Sequence, residues 1–288
     1  MTLGPFFGVL FDGFAFGMLL FLLSVGLSVT LGMMNFINLA HCAFAMLGGY
    51  VTVSLVNSFG WPFLAALPIA FLAAAAASVV LERTLYRRLY RAGELDQVLL
   101  TIGIAFMSVA VAAYFYGTTQ QPVQTPSYLR GSIPFMGLSL GTYRLFLIGT
   151  GLAITLVLVA TLEYTRFGAR VRAAVDNQRM ARGLGINVEG AFAITFALGS
   201  GLAGLGGALA IEIVGLDHSF ALAYLVYVLI VVSVGGLGSI GGSFAAAALL
   251  GISDIFGKYY FPELGAFLIY LVMVALLIWR PTGLFGRR

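Results

Sequence analysis

Nine apolar runs separated by short polar breaks make up most of this 288-residue sequence, and that alternation predicts a bundle of membrane-crossing helices. The runs cover residues 6–31, 32–57, 61–81, 98–116, 145–164, 191–211, 220–234, 241–256 and 264–279. Each is near the ~20 residues that carry a helix across hydrocarbon. They are continuous rather than short alternating segments, which selects helices over a barrel. The expected fold class is all-α, a polytopic membrane protein with about eight to nine transmembrane or re-entrant helices. No linker or soluble domain interrupts the pattern, so residues 1–288 read as one transmembrane domain. The run at 32–57 opens on Asn35, Asn38 and His41 at a junction without a basic residue. It is therefore either a simple span or a broken, re-entrant helix.

Composition agrees with the pattern. The chain is 61% hydrophobic and only 9% charged, with mean hydropathy +1.03, whereas a soluble domain carries about 25% charged residues. Cys42 is the sole cysteine, which excludes an intrachain disulfide and a thiol-rich metal site. The opening MTLGPFFGVLFDG lacks a basic region and a small-residue cleavage site, so no removable signal peptide is expected. The net charge of +4 does not point to nucleic acid, because the arginines cluster. Arg83, Arg87, Arg88 and Arg91 fall in one break, Arg166, Arg170, Arg172, Arg179 and Arg182 in another, and Arg280, Arg287 and Arg288 at the end. If the runs alternate in direction, these share one side, while Arg130, Arg144 and Lys258 share the other. The positive-inside rule then places residues 82–97, 165–190 and 281–288, with the C-terminus, in the cytoplasm.

The most polar of these segments, 166–190, reads as an amphipathic helix from Gly168 to Arg182, on the order of 22 Å long. Val171, Ala174, Val175 and Met180 can share one side. Arg172, Asp176 and Arg179 stand on another, at a spacing where neighbours can pair. Gly183 and Gly185 supply the stop. Such a helix is too short and too charged to cross a bilayer. Either it holds anionic lipid as a basic loop, or it docks onto a cytoplasmic partner.

Two glycine patterns, GSGLAG (Gly199, Gly201, Gly204) and GLGSIG (Gly236, Gly238, Gly241), mimic dinucleotide fingerprints. Both lie in or between membrane runs, without the strand–helix alternation such a site needs. The first reads as small residues that bring helices close, with Gly199, Ala203 and Gly207 at every fourth position. The second reads as a turn. Lys258 is the only lysine and lies in no P-loop, so energy for active transport would come from a partner or an ion gradient. Asp12, Glu163, Glu212, Asp217, His218 and Asp254 fall mostly at run ends, where interfacial caps are expected. Asn35, Asn38 and His41 differ, lying within two turns at a membrane-embedded helix start. They either bond helix to helix or line a substrate path.

INLAHCAFAMLGGYV, RVRAAVDNQRMARGLGINVEGAFAITFALGSGLAGLGGALA, VGGLGSIGGSFAAAALLG and RPTGLFGRR together resemble the permease subunits of branched-chain amino acid ABC importers. The resemblance runs in order from about Gly13 to Gly286 and is nearer to the shorter of that importer's two permease types. One departure is Cys42, where a glycine is usual after the histidine. The resemblance implies a second, related permease, two cytoplasmic ATP-binding subunits that hold the ATP, and an extracytoplasmic substrate-binding protein. No cofactor is expected in this chain, and membrane lipid surrounds it. Localisation in a bacterial or archaeal cytoplasmic membrane follows. Arg172, Ala173, Asp176, Asn177, Ala181, Gly185 and Ile186 match the family's cytoplasmic loop, which is similar to loops that dock onto the ATPase. The implied function is import of branched-chain amino acids by alternating access, without covalent chemistry. The open alternatives are urea, short amides or another amino acid as substrate, an ion-coupled carrier, or a structural or sensory subunit.

Overall fold

The computed structural model describes residues 3–34, 36–89, 92–135 and 138–286. Its helices are α1 (Leu3–Met34), α2 (His41–Val53), α3 (Phe63–Leu81), α4 (Arg87–Leu89), α5 (Glu94–Tyr116), α6 (Thr142–Tyr164), α7 (Arg166–Asp176), α8 (Gln178–Gly183), α9 (Val188–Val214), α10 (Phe220–Gly235), α11 (Ile240–Tyr260) and α12 (Gly265–Trp279). A π-helical turn, Ser54–Ser58, lengthens α2, and another, Glu82–Tyr86, joins α3 to α4. Every apolar run of the sequence holds one helix. Among the described residues, six helical stretches are long and apolar enough to cross a membrane, and α10 and α12 are shorter apolar helices.

Two departures from the sequence reading concern the ends of helices. Residues 82–89, which read from the sequence as a polar break after the run 61–81, continue the helix begun at Phe63. There Tyr86 is fully buried against Phe36 and Phe196. The nearly uncharged segment 117–144, whose polar and proline residues predict a loop, contains an antiparallel hairpin, β1 (Ser132–Phe135) with β2 (Leu138–Gly141), pairing Ser132 with Gly141.

The core is an inner pair of helices, α1 and α9, wrapped by the others. Glycine sets the spacing. A Cβ at Gly26 would fall on the Gly199 backbone, and one at Gly207 on the Ala45 carbonyl of α2. One at Gly17 would sit 2.7 Å from the Ala247 carbonyl oxygen of α11. Backbones this close gain packing that lipid tails cannot supply.

Cross-links identify the two ends of the bundle. At one end, the Gly238 amide donates to the Ser28 carbonyl (3.2 Å), and Arg87 pairs with Glu189. At the other end, the Gln121 amide donates to the Leu216 carbonyl (2.8 Å) and Arg144 pairs with Asp12 (2.6 Å). The segment after α12 folds back beneath α10. Its Leu284 and Phe285 amides donate to the Val234 and Gly235 carbonyls (2.7 and 3.2 Å), and Arg280 donates to the Leu284 carbonyl (2.8 Å). These bonds satisfy carbonyls that a helix end leaves without partners. Gly236, at φ +94°, makes the turn that gives the tail room.

Candidate functional site

Residues 166–190 form an elbow on the arginine-rich end rather than the single helix expected from 168 to 182. The break is Asn177, whose extended backbone (φ −152°, ψ 98°) ends α7, while its Oδ1 accepts the Met180 amide (2.9 Å) and starts α8. An asparagine makes this possible because its short amide competes with helix bonding and favours a cap. Thr165 caps α7 through the Gly168 amide (3.2 Å), and Asn187 caps α9 through the Gly190 amide (2.8 Å). Gly185, at φ +78°, lets the Ile186 amide close α8 on the Ala181 carbonyl (3.0 Å).

The faces of the elbow also differ from the expected ones. Val171, Ala174 and Ala181 are buried, the latter two packing with Val188, Phe192 and Ile186. Val175, on α7 before the break, and Met180, on α8 beyond it, turn outward from the side expected of them; for Met180 the cause is the Asn177 break, which rotates α8 away from the register of α7. Met180 is 65% exposed, and Leu184, which the periodicity did not single out, is 80% exposed. Arg172 does not pair along the helix with Asp176. Its guanidinium donates to the Leu162 carbonyl at the end of α6. Ala173 is half-buried, Asp176, Asn177 and Gly185 are exposed, and Ile186 is half-buried. The elbow is therefore held inward by small residues and presents an apolar knob among arginines.

A second polar site lies where α1 gives way to α2. Asn35 is outside the described residues. Residues 36–40 lie outside both helices, and the amides of Ile37 and Leu39 take side-chain acceptors instead. Two side chains of α5 supply them. Gln97 Oε1 accepts the Ile37 amide (3.2 Å) and Thr101 Oγ1 accepts the Leu39 amide (3.1 Å). Asn38 Oδ1 accepts the Ala40 amide (3.0 Å), and His41 Nε2 donates to the Leu23 carbonyl of α1 (3.0 Å). Asn38, His41, Gln97 and Thr101 are all buried, and Asn38 Nδ2 has no partner. Gln97 was missed because it stands among the charged residues of the segment 82–97, and Thr101 because it stands alone in an apolar run. Their one signal was four-residue spacing on the helix face that also holds Ala105.

The acidic residues are more varied than interfacial caps. Asp217 makes a local turn just before α10, its Oδ1 accepting from the Ser219 amide (2.8 Å) and hydroxyl (2.7 Å). Asp254 does not. It is fully buried within α11, with Oδ2 accepting from Lys258 (2.6 Å) and Oδ1 unpartnered. Among the described residues, no three His, Cys, Asp or Glu side chains gather as metal ligands would. An apolar cavity of about 30 Å³ lies between Gly26, Leu158 and Leu202, and a groove of about 190 Å³ between Phe71, Arg83 and Ile194. Neither is lined by Asn38 or His41.

Residues 9–277 match the family described as "Branched-chain amino acid transport system / permease component". The chain is 24% identical to the high-affinity branched-chain amino acid transport system permease protein BraD of Pseudomonas aeruginosa, over 96% of this chain and 95% of that protein. It is 28% identical to LivH of Escherichia coli, named as a permease protein of the same kind, over 96% of this chain and 94% of LivH. A longer E. coli permease protein, LivM, is 27% identical over 93% of this chain and 68% of LivM.

Proposed function

This chain belongs to the permease-component family of branched-chain amino acid transport systems, and from that premise we propose how it imports its substrate. It is a multi-pass membrane permease for branched-chain amino acids, of the LivH and BraD kind. It works beside a second, related permease, with two cytoplasmic ATP-binding subunits and an extracytoplasmic binding protein that delivers the amino acid. The arginine-rich end faces the cytoplasm with the C-terminus, following the positive-inside rule. The substrate passes the α1–α2 junction at Asn38 and His41, where the free Asn38 amide supplies an unused donor. ATP is bound by the partner subunits, and residues 166–190 carry their motion into the bundle.

The observation that supports this docking role is the exposed knob of Val175, Met180 and Leu184 on a thrice-capped elbow. A helix lying on anionic lipid presents one continuous apolar face along its length, whereas the Asn177 break sets these residues on two short helices of different register. Contacts between proteins, by contrast, centre on an apolar core ringed by polar groups.

Ala173→Trp tests this, because it keeps every charge and adds bulk on the half-buried shoulder of α7. Docking predicts that the inserted permease loses its ATP-binding subunits or their stimulated hydrolysis, measured by co-purification and phosphate release. Normal assembly and coupling, together with release from anionic vesicles on removing Arg170 and Arg172, would make the segment a lipid anchor.

A further inference from the structure

We propose that Gln97 and Thr101 are positioning residues for transport, a clamp that passes movement of the 166–190 elbow to the unwound stretch between α1 and α2. The inference rests on the docking role of that elbow and adds the route by which its motion enters the membrane.

The contacts run without a gap. Glu189, in the first turn of α9 at the end of the elbow, pairs with Arg87 of α4. Two residues after Arg87, the Leu89 carbonyl accepts from Gln97 Nε2 (3.2 Å), and the Ala92 carbonyl does so at 3.4 Å. The same side-chain amide accepts the Ile37 amide at its oxygen, so one group holds both the α4–α5 connection and the unwound stretch. One turn further along α5, Thr101 holds Leu39. From there, His41 reaches the Leu23 carbonyl in the centre of α1.

The chemistry of the two side chains suits a clamp that moves. The Gln97 amide donates from its nitrogen to one stretch of chain and accepts at its oxygen from another at once. The Thr101 hydroxyl has a single proton and three carbonyls in reach, Gln97 at 2.8 Å, Val98 at 3.3 Å and Ile37 at 3.4 Å. It can exchange donors' targets while still accepting from Leu39. The amides of Ile37 and Leu39 cannot be released into apolar surroundings unpaired. The stretch must therefore travel with α5 or jump to another complete set of partners. Two discrete arrangements of this kind are what carry coupling between distant sites.

The test uses the whole importer, both permeases with the ATP-binding subunits, reconstituted in liposomes with its binding protein and leucine. Uptake and ATP hydrolysis are measured on the same vesicles. Gln97→Met and Thr101→Val remove the polar groups at nearly constant volume, while Thr101→Ser keeps the hydroxyl. The clamp predicts uptake per ATP lowered about tenfold in Gln97→Met and Thr101→Val, the scale of leaving a buried amide unpaired. Stimulated hydrolysis and subunit association stay at wild-type levels, and Thr101→Ser transports normally. Wild-type uptake in Thr101→Val overturns the proposal. So does a proportional fall of uptake and hydrolysis that Thr101→Ser shares, because that is the behaviour of a merely structural group. Should Gln97→Met not insert, the Thr101 pair decides alone. A failed docking role shows separately, as an Ala173→Trp complex that still associates and couples.

Discussion

The inner pair, α1 and α9, and the outer pair, α5 and α6, are comparably apolar, yet they live in different surroundings. Within their spans, 89% of α1 and 78% of α9 are buried in the protein, against 17% of α5 and 11% of α6. Inside a bilayer, hydrophobicity cannot sort helices, because a leucine gains nothing by exchanging lipid for protein. Side-chain size does the sorting. The inner pair meets through Gly26 and Gly199, and α9 meets α2 through Gly204 and Gly207. The outer glycines Gly103 and Gly149 have nothing within reach of an added Cβ. Their helices instead present Phe106, Met107, Leu156 and Val157 outward.

Matched glycine substitutions should separate the two regions by the largest margin. Gly207→Val places a branched side chain on the Ala45 carbonyl, at a cost of about 3 kcal/mol or more, the upper end for overpacking. Gly103→Val should cost less than about 1 kcal/mol, since it meets only open space. Thermal melting of the purified permease in detergent reads both. Equal melting temperatures would erase the distinction between inner and outer helices.

Charge should follow the same divide with a smaller effect. Lys258→Leu leaves the buried Asp254 carboxylate without its partner, at about 3 kcal/mol, discounted because the ammonium is half-exposed. The double change Asp254→Leu with Lys258→Leu should recover most of that loss. A double variant no more stable than the single one would show that the carboxylate has another role. Smallest of all is the exposed Arg87–Glu189 pair, whose side chains are 56% and 58% exposed. Arg87→Ala should cost under about 1 kcal/mol and less still in high salt. A large stability loss there would mean that this contact supports the bundle itself and not only its coupling.

How much of this was legible in the sequence depends on the distance over which each signal acts. The apolar runs, each of which holds a helix among the described residues, could be read because a span is a local property of some twenty residues. The family resemblance could be read because its motifs stand in order along the chain. The Asn177 break was missed because helical periodicity across 168–182 outweighed one capping residue, although an asparagine between two helical stretches was the available clue. The hairpin was hidden in a segment whose strands are four residues each. Asn38 and His41 stood out as polar groups in an apolar run. Their partners were not legible, because Gln97 and Thr101 lie about sixty residues away and only the fold brings them together. Nor could the sequence say that Asp254 is buried while Asp217 holds a local turn, since both look like acids near a helix end.

The tail beneath α10 has a consequence for how the protein is made. The ribosome delivers α10 well before Leu284 and Phe285, so the newly inserted helix carries open carbonyls at Val234 and Gly235 while α11 and α12 are still being synthesised. The bundle can close this end only after α12 has been made and the chain beyond it has turned back. A nascent permease stalled within α12 would therefore display an unfinished helix end at the membrane surface, where quality-control proteases could tell it from the completed protein.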